Sequence, residues 1–336
     1  MKSIDVFCHM MPPHYAEACM KEDPNKSHMF KRALKIKSMA DMDYRDKVLA
    51  GFPGYRQIVN IVSPPVEAFA EPDKSPELAA LGNDEIRQIV GSRPQYYSGW
   101  IAQIPFNNVP ASVEEIKRCA KLGAKGVQIY THMNGEAIDQ EKFWPIYEIC
   151  SELDLPILIH PVGGQMVPEF PTEARSKYEL WFTIGWPYQT TVAMARLVFS
   201  GIFVDFPNLK LITHHCGAMI PMLEGRIENG LKQYGGRTAP ELKEELTATR
   251  VPKGEYLDHF KKFYADTASF GSASAIRCGL DFFGEDHMVF ATDMPFDPEQ
   301  GPGYISRTLA AIDSLDLPES TKNKILHGNA EKIFKV

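Results

Sequence analysis

The chain has 336 residues, of which 44% are hydrophobic and 24% charged, with a formal net charge of −7. Aromatic residues make up 11% and Ile, Leu and Val are plentiful, which excludes a wholly disordered chain because burial can offset chain entropy. Lys and Arg are scattered along an acidic chain, which excludes an electrostatic footprint for nucleic acid, and no run nears the ~18 apolar residues of a membrane span.

In chain order, eight short apolar runs read as strands: 3–8, 56–63, 97–104, 126–131, 155–160, 209–215, 261–266 and 287–292. Helix-like stretches separate most of them, at 76–93, 112–122, 138–152, 189–200, 219–233, 272–281 and 304–314. The run SVEEIKRCAKLGAKG shows a helical stop, with apolar spacings of three and four before Gly123 and Gly126. Strand–helix alternation predicts a parallel sheet covered by helices. Eight repeats predict an α/β fold of the (β/α)8 TIM-barrel type, as one domain over residues 1–336.

Two stretches break the repeat. Residues 10–50 form a Met-, Lys- and Asp-rich insert after the first strand. Residues 161–187 follow the fifth and carry Phe170, Tyr178, Trp181, Phe182 and Trp186. Long segments in a compact fold are usually lids or binding loops, and aromatic richness points to an active-site cover. The six cysteines are far apart with no CxxC pair, and the first ten residues hold no apolar signal core. Reduced, mostly buried thiols and a cytoplasmic location are therefore expected.

Polar residues fall where such a barrel keeps its chemistry, at strand C-termini and the loops after them. Strand 1 ends in Asp5-Val6-Phe7-Cys8-His9, and alternation puts residues 5, 7 and 9 on one face and Cys8 on the other. Strand 5 ends at His160, strand 6 in His214-His215, and strand 8 runs into Asp293. Imidazoles and a carboxylate arriving at one rim suit Zn²⁺ or another divalent ion with an open position for water or substrate. There is no P-loop, no GxGxxG after a strand and no GxSxG elbow.

These residues stand in IDVFCHMMP, GVQIYTHMNG (126–135), LPILIHP (155–161), LKLITHHCGAMIPMLEGRI (209–227), FYADTA (263–268), VFATDMPF (289–296) and HGNAEKIF (327–334). The order of the parts resembles the amidohydrolase superfamily, in the amidohydrolase-2 branch that includes aminocarboxymuconate-semialdehyde decarboxylase and γ-resorcylate decarboxylase. The resemblance implies that His9 and His160 are metal ligands and that Asp293 binds metal or handles a proton of bound water. Counting back from Gly225-Arg226-Ile227, it implies that His215 is the catalytic histidine of strand 6 and that His214 is its out-facing structural neighbour. It also implies a homodimer acting on a small carboxylic acid.

One departure matters. The family places His-x-His or Glu-x-His at the end of strand 1, and Phe7 stands at the first of those positions. Two histidines and an aspartate still match a three-ligand site for Zn²⁺, Mn²⁺ or Fe²⁺, and a metal-free site working by acid–base chemistry is the alternative. The expected substrate contacts are Phe7, His132, Trp181, Phe182, Trp186 and Phe296. Arg32, Arg45 and Arg56 sit in no recognisable motif and read as solvated surface charges. The expected reaction is non-oxidative decarboxylation of an aromatic or conjugated acid. Hydrolysis of a lactone, amide or carbon–carbon bond is a second reading, and a binding protein without turnover a third.

Overall fold

The expected strands are present in a computed structural model, which describes residues 2–23 and 28–336. They are β1 (Ser3–Asp5), β2 (Tyr55–Ile61), β3 (Tyr97–Trp100), β4 (Val127–Tyr130), β5 (Ile157–His160), β6 (Leu211–Thr213), β7 (Tyr264–Asp266) and β8 (Met288–Val289). Their sequences are apolar without alternation because both faces are covered; all four residues of β5, for example, are buried. Every neighbouring pair from β1 to β8 is parallel. β3 bridges the two halves of the sheet, pairing with β2 and continuing through Ala102–Gln103 into the ladder with β4.

Backbone hydrogen bonds close the sheet on itself. Val6 N donates to Phe290 O (3.0 Å), Asp293 N to Phe7 O (3.0 Å) and His9 N to Met294 O (2.8 Å). Asp5 reinforces this seam: its Oδ2 accepts from Thr292 Oγ1 (2.5 Å) and from Tyr55 OH (2.5 Å). A TIM barrel results, as the sequence led us to expect. Inside it, Ile4, Val6, Phe7, Ile58, Ile101, Leu158, Ile212 and Val289 form one apolar cluster, joined by Ala330, Ile333 and Phe334 of the C-terminal helix.

The covering helices show the local signals that start and stop them. Val109–Lys121 begins with the Asn108 side chain accepting from Ala111 N and carries Pro in its first turn. It buries Ser112, Glu115, Ile116 and Cys119, keeps Arg118 and Lys121 in its last turn, and is followed by Gly123 at φ 92°. The insert at 10–50 is helical, with Pro13–Glu22, His28–Ala33, Lys37–Ala40 and Met42–Ala50 among its described residues.

Two details differ from simple alternation. β1 stops at Asp5 and the chain bends before pairing again at His9–Met10. The bend separates Asp5, which faces Tyr55 and Thr292, from Phe7, which enters the inner cluster, so these residues do not share a face. No helix among the described residues is long and apolar enough to cross a membrane.

Candidate active site

The strand ends bring five side chains together. His9, His160 and His214 offer nitrogen atoms within 4.8 Å of one another, and so do His214, His215 and Asp293 with their ligand atoms. Asp293 is the hub. Its Oδ1 lies 3.1 Å from His9 Nε2 and 3.4 Å from His214 Nε2, while its Oδ2 lies 3.7 Å from His215 Nε2. His9, His214 and His215 each approach Asp293, while His160 groups with His9 and His214, so the strand ends meet through these shared neighbours.

His214 is the correction. It is fully buried and faces Asp293 rather than pointing outward. Alternation failed because β6 ends at Thr213; His215 and Cys216 then adopt left-handed backbone at φ 60° and 56°. Two consecutive residues can therefore aim into the same space. Asp293 also sits at φ 62°. Non-glycine residues held in this region cost roughly 1–3 kcal/mol each, a strain that surrounding structure must hold in place and that clusters at functional sites.

Hydrogen bonds fix the rings. His160 Nδ1 donates to the Pro161 carbonyl, which can only accept, so Nε2 keeps its lone pair. His214 Nδ1 donates to Asp266 Oδ2, an arrangement like the carboxylate–histidine pairs behind metal ligands. The main chain of His9 is braced by Arg45, whose Nη1 donates to His9 O (2.7 Å) and whose Nη2 donates to Gln57 Oε1 (2.7 Å). Arg45 is fully buried, not the surface charge the sequence suggested, while Arg56 bonds the Pro94 and Tyr97 carbonyls and Arg32 pairs with Glu179.

Electrostatics follow from burial and the carboxylates. Burial, then neighbouring imidazoles, lower the pKa of His160 far below the usual histidine range, and burial likewise lowers His9 and His215. Burial also works against a charged His214, but Asp266 and then Asp293 more than offset it and bring the ring to about 9. Burial alone would raise the Asp293 carboxyl; His214, His215 and His9 instead hold it well below the ordinary carboxylate range. His215 is the histidine of the pair with an open edge, 13% exposed against 0% for His214.

The donor set fits a divalent ion. His9 Nε2 and His214 Nε2 face Asp293 Oδ1 at 3.1 and 3.4 Å without well-aligned hydrogen bonds, and buried His9 Nδ1 has no partner. Such orphans are costly unless something else meets them.

Aromatic walls surround the cluster. Trp186 meets His160 edge-on at 5.7 Å, Phe296 meets His9 at 5.6 Å and Tyr130 meets His160 at 5.6 Å. Trp181 and Phe182 pack behind Trp186 at 5.3 and 6.0 Å. The 161–187 stretch ends in the helix Leu180–Thr183 and the first turn of Gly185–Ser200, which carries Trp186. His132 lies outside both histidine groupings, in a small hairpin where its Nδ1 accepts from Gly135 N. Phe7 lies within the cluster, between His9, His160 and His214. Sequence reasoning passed over Tyr130, Asp266, Phe270 and Tyr304; Phe270 lies 5.8 Å from His215 and stacks on Tyr304. The aspartate in FYADTA at the end of β7 was a legible signal for Asp266.

A closed parallel barrel with histidines and an aspartate gathered at its strand ends defines a barrel enzyme with a cluster able to hold a metal ion. The chain matches the amidohydrolase family model over residues 4–336 and belongs to that family. It is 29% identical over 279 residues to a 2-amino-3-carboxymuconate-6-semialdehyde decarboxylase of Dictyostelium discoideum, covering 82% of this chain and 71% of that protein. It is 27% identical over 292 residues to a γ-resorcylate decarboxylase of a Polaromonas species, covering 83% and 82%. The fold matches 5-carboxyvanillate decarboxylase of Novosphingobium aromaticivorans, solved with manganese and 3-methoxy-4-hydroxy-5-nitrobenzoic acid, at a TM-score of 0.82. That match covers 100% of this chain and 97% of the other at 22% identity.

Proposed function

We propose that the protein is a metal-dependent, non-oxidative decarboxylase of an aromatic or conjugated carboxylic acid. The observation that carries this reading is the approach of His9 and His215 to Asp293, with His160 against His9 and an aromatic wall beside them. The curated relatives named above, each a decarboxylase, support it. His9, His160 and Asp293 would hold the ion, Zn²⁺ or Mn²⁺ by donor type. When bound, the ion supplies Lewis-acid charge that orients the substrate's oxygens.

His215 is the proton carrier in this reading. Burial and then the neighbouring His214 lower its pKa, which favours giving up a proton taken at its open edge. The ring passes that proton to the carbon bearing the carboxylate, which interrupts conjugation. The carbon–carboxylate bond then breaks, its electron pair restores the conjugated system, and CO₂ leaves. Trp186 and Phe296 provide flat apolar surfaces against which such a substrate can lie. An exposed row on one helix face, Ile184, Tyr188 and Val192, supports assembly as a homodimer.

The test is CO₂ release from a panel of hydroxybenzoates and muconate-type acids with added Zn²⁺ or Mn²⁺. In D₂O one deuterium should appear at the carbon that lost the carboxylate. Asp293→Asn should abolish turnover and lower metal occupancy from about one ion per chain. No CO₂ from any of the panel would sink the proposal.

A further inference from the structure

His214 is held as a ligand would be. Its Nδ1 donates to Asp266 Oδ2, and the other oxygen of Asp266 is itself anchored by Ala268 N (3.0 Å) and Cys216 N (3.3 Å). Phe7 lies flat on one side of the ring at 3.9 Å, and the ring of His215 is 3.8 Å away. The ring is therefore fixed in direction, and the nitrogen it presents inward, Nε2, is buried with no hydrogen-bond partner.

That nitrogen points at the right place. Metal–ligand bonds of ~2.1 Å in a tetrahedral site set ligand atoms ~3.4 Å apart. Asp293 Oδ1 stands 3.1 Å from His9 Nε2 and 3.4 Å from His214 Nε2, which is already that spacing. One ring nitrogen from each of His9, His160 and His214 lies within 4.8 Å of the others. His215 sits instead on the other carboxylate oxygen, at 3.7 Å, with an open edge. The two neighbouring histidines therefore face opposite oxygens of one aspartate.

We propose that His214 is a metal ligand, so that His9, His160, His214 and Asp293 Oδ1 make one four-donor site. The ligand that β1 does not provide at Phe7 is provided by β6, and His215 is left free to carry the proton. The inference rests on the metal-dependent reading above.

The experiment is metal binding by the full chain, stripped with chelator and titrated with Zn²⁺ or Mn²⁺ by calorimetry, with bound metal counted by mass spectrometry. Wild type should bind about one ion. His214→Ala should weaken binding by about 100-fold, since even residues behind a ligand can cost 10–100-fold. His215→Ala should stay within about threefold of wild type by the same comparison. Adding Phe7→His to His214→Ala should recover at least about tenfold, because position 7 lies among the same rings. Should His214→Ala fail to fold, X-ray absorption on Zn²⁺-loaded wild type decides by counting imidazoles. Three support the proposal, and two overturn it. If wild type binds metal and folded His214→Ala binds equally well, this inference falls while the metal-dependent reading stands. If wild type takes up no ion, both fall.

Discussion

Phe7 lies flat against His214, with ring centroids 3.9 Å apart and planes 17° from parallel. A strand-1 position that cannot donate to a metal thus becomes a support for a strand-6 imidazole. Phe7→Ala removes a fully buried ring from the inner cluster and should destabilise the fold by about 3 kcal/mol. Urea unfolding measures this, and an effect under about 1 kcal/mol would mean that the site collapses around the gap.

The seam at Asp5 predicts a pH dependence of stability. Burial, only partly offset by Thr292, Tyr55 and backbone donors, raises this carboxyl to about 7. The folded state therefore binds the proton more tightly than the unfolded chain, whose carboxyl titrates near ~4. The contribution is whole below about pH 4, declines as pH rises from about 4 to about 7, and is gone above that. Unfolding free energies of wild type and Asp5→Asn should diverge by up to ~1.4 kcal/mol per pH unit in that window, with wild type losing ground as pH rises. Parallel curves would show that Asp5 does not titrate this way.

Among the described residues, Arg32 of the helical insert reaches the 161–187 stretch. Arg32 Nη1 is 2.8 Å from Glu179 Oε2, and its guanidinium lies 5.5 Å from the centre of the Phe182 ring. An exposed pair contributes about 0–1 kcal/mol, so Arg32→Ala should barely move global stability. Its effect should be local: faster hydrogen exchange across 161–183, with KM raised severalfold and kcat little changed. Unchanged exchange there would show that the stretch is held by its own packing.

Thiol chemistry offers a simple count. All six cysteines are free, five are buried and Cys278 is exposed. Burial and then nearby carboxylates raise the Cys278 thiol above its ordinary pKa, so it should react slowly at neutral pH and faster at alkaline pH. A disulfide-exchange reagent should modify one thiol in the folded protein and all six after denaturation. Two or more fast-reacting thiols in the native state would indicate local opening around a buried cysteine.

The barrel was legible because each strand is a short apolar run that needs cover on both faces, and that pattern survives without knowledge of neighbours. His9, His160 and Asp293 were legible for a related reason: they stand where such runs end. His214 was not, since alternation says nothing once the chain leaves the strand at Thr213 and turns through left-handed backbone. The same limit hid the bend between Asp5 and His9. Arg45 reads as a surface charge by composition, and only tertiary packing gives it the His9 carbonyl and Gln57 as partners.

His9 and Asp293 reach the centre from opposite ends of the chain, across the seam where Thr292 bonds Asp5 at a separation of 287 residues. Neither can be positioned until the last strand has been synthesised and has docked beside the first. A ribosome that stops short of residue 293 leaves a product with some of the histidines but no hub to gather them. In this barrel the carboxylate that gathers the histidines therefore arrives only with the eighth strand.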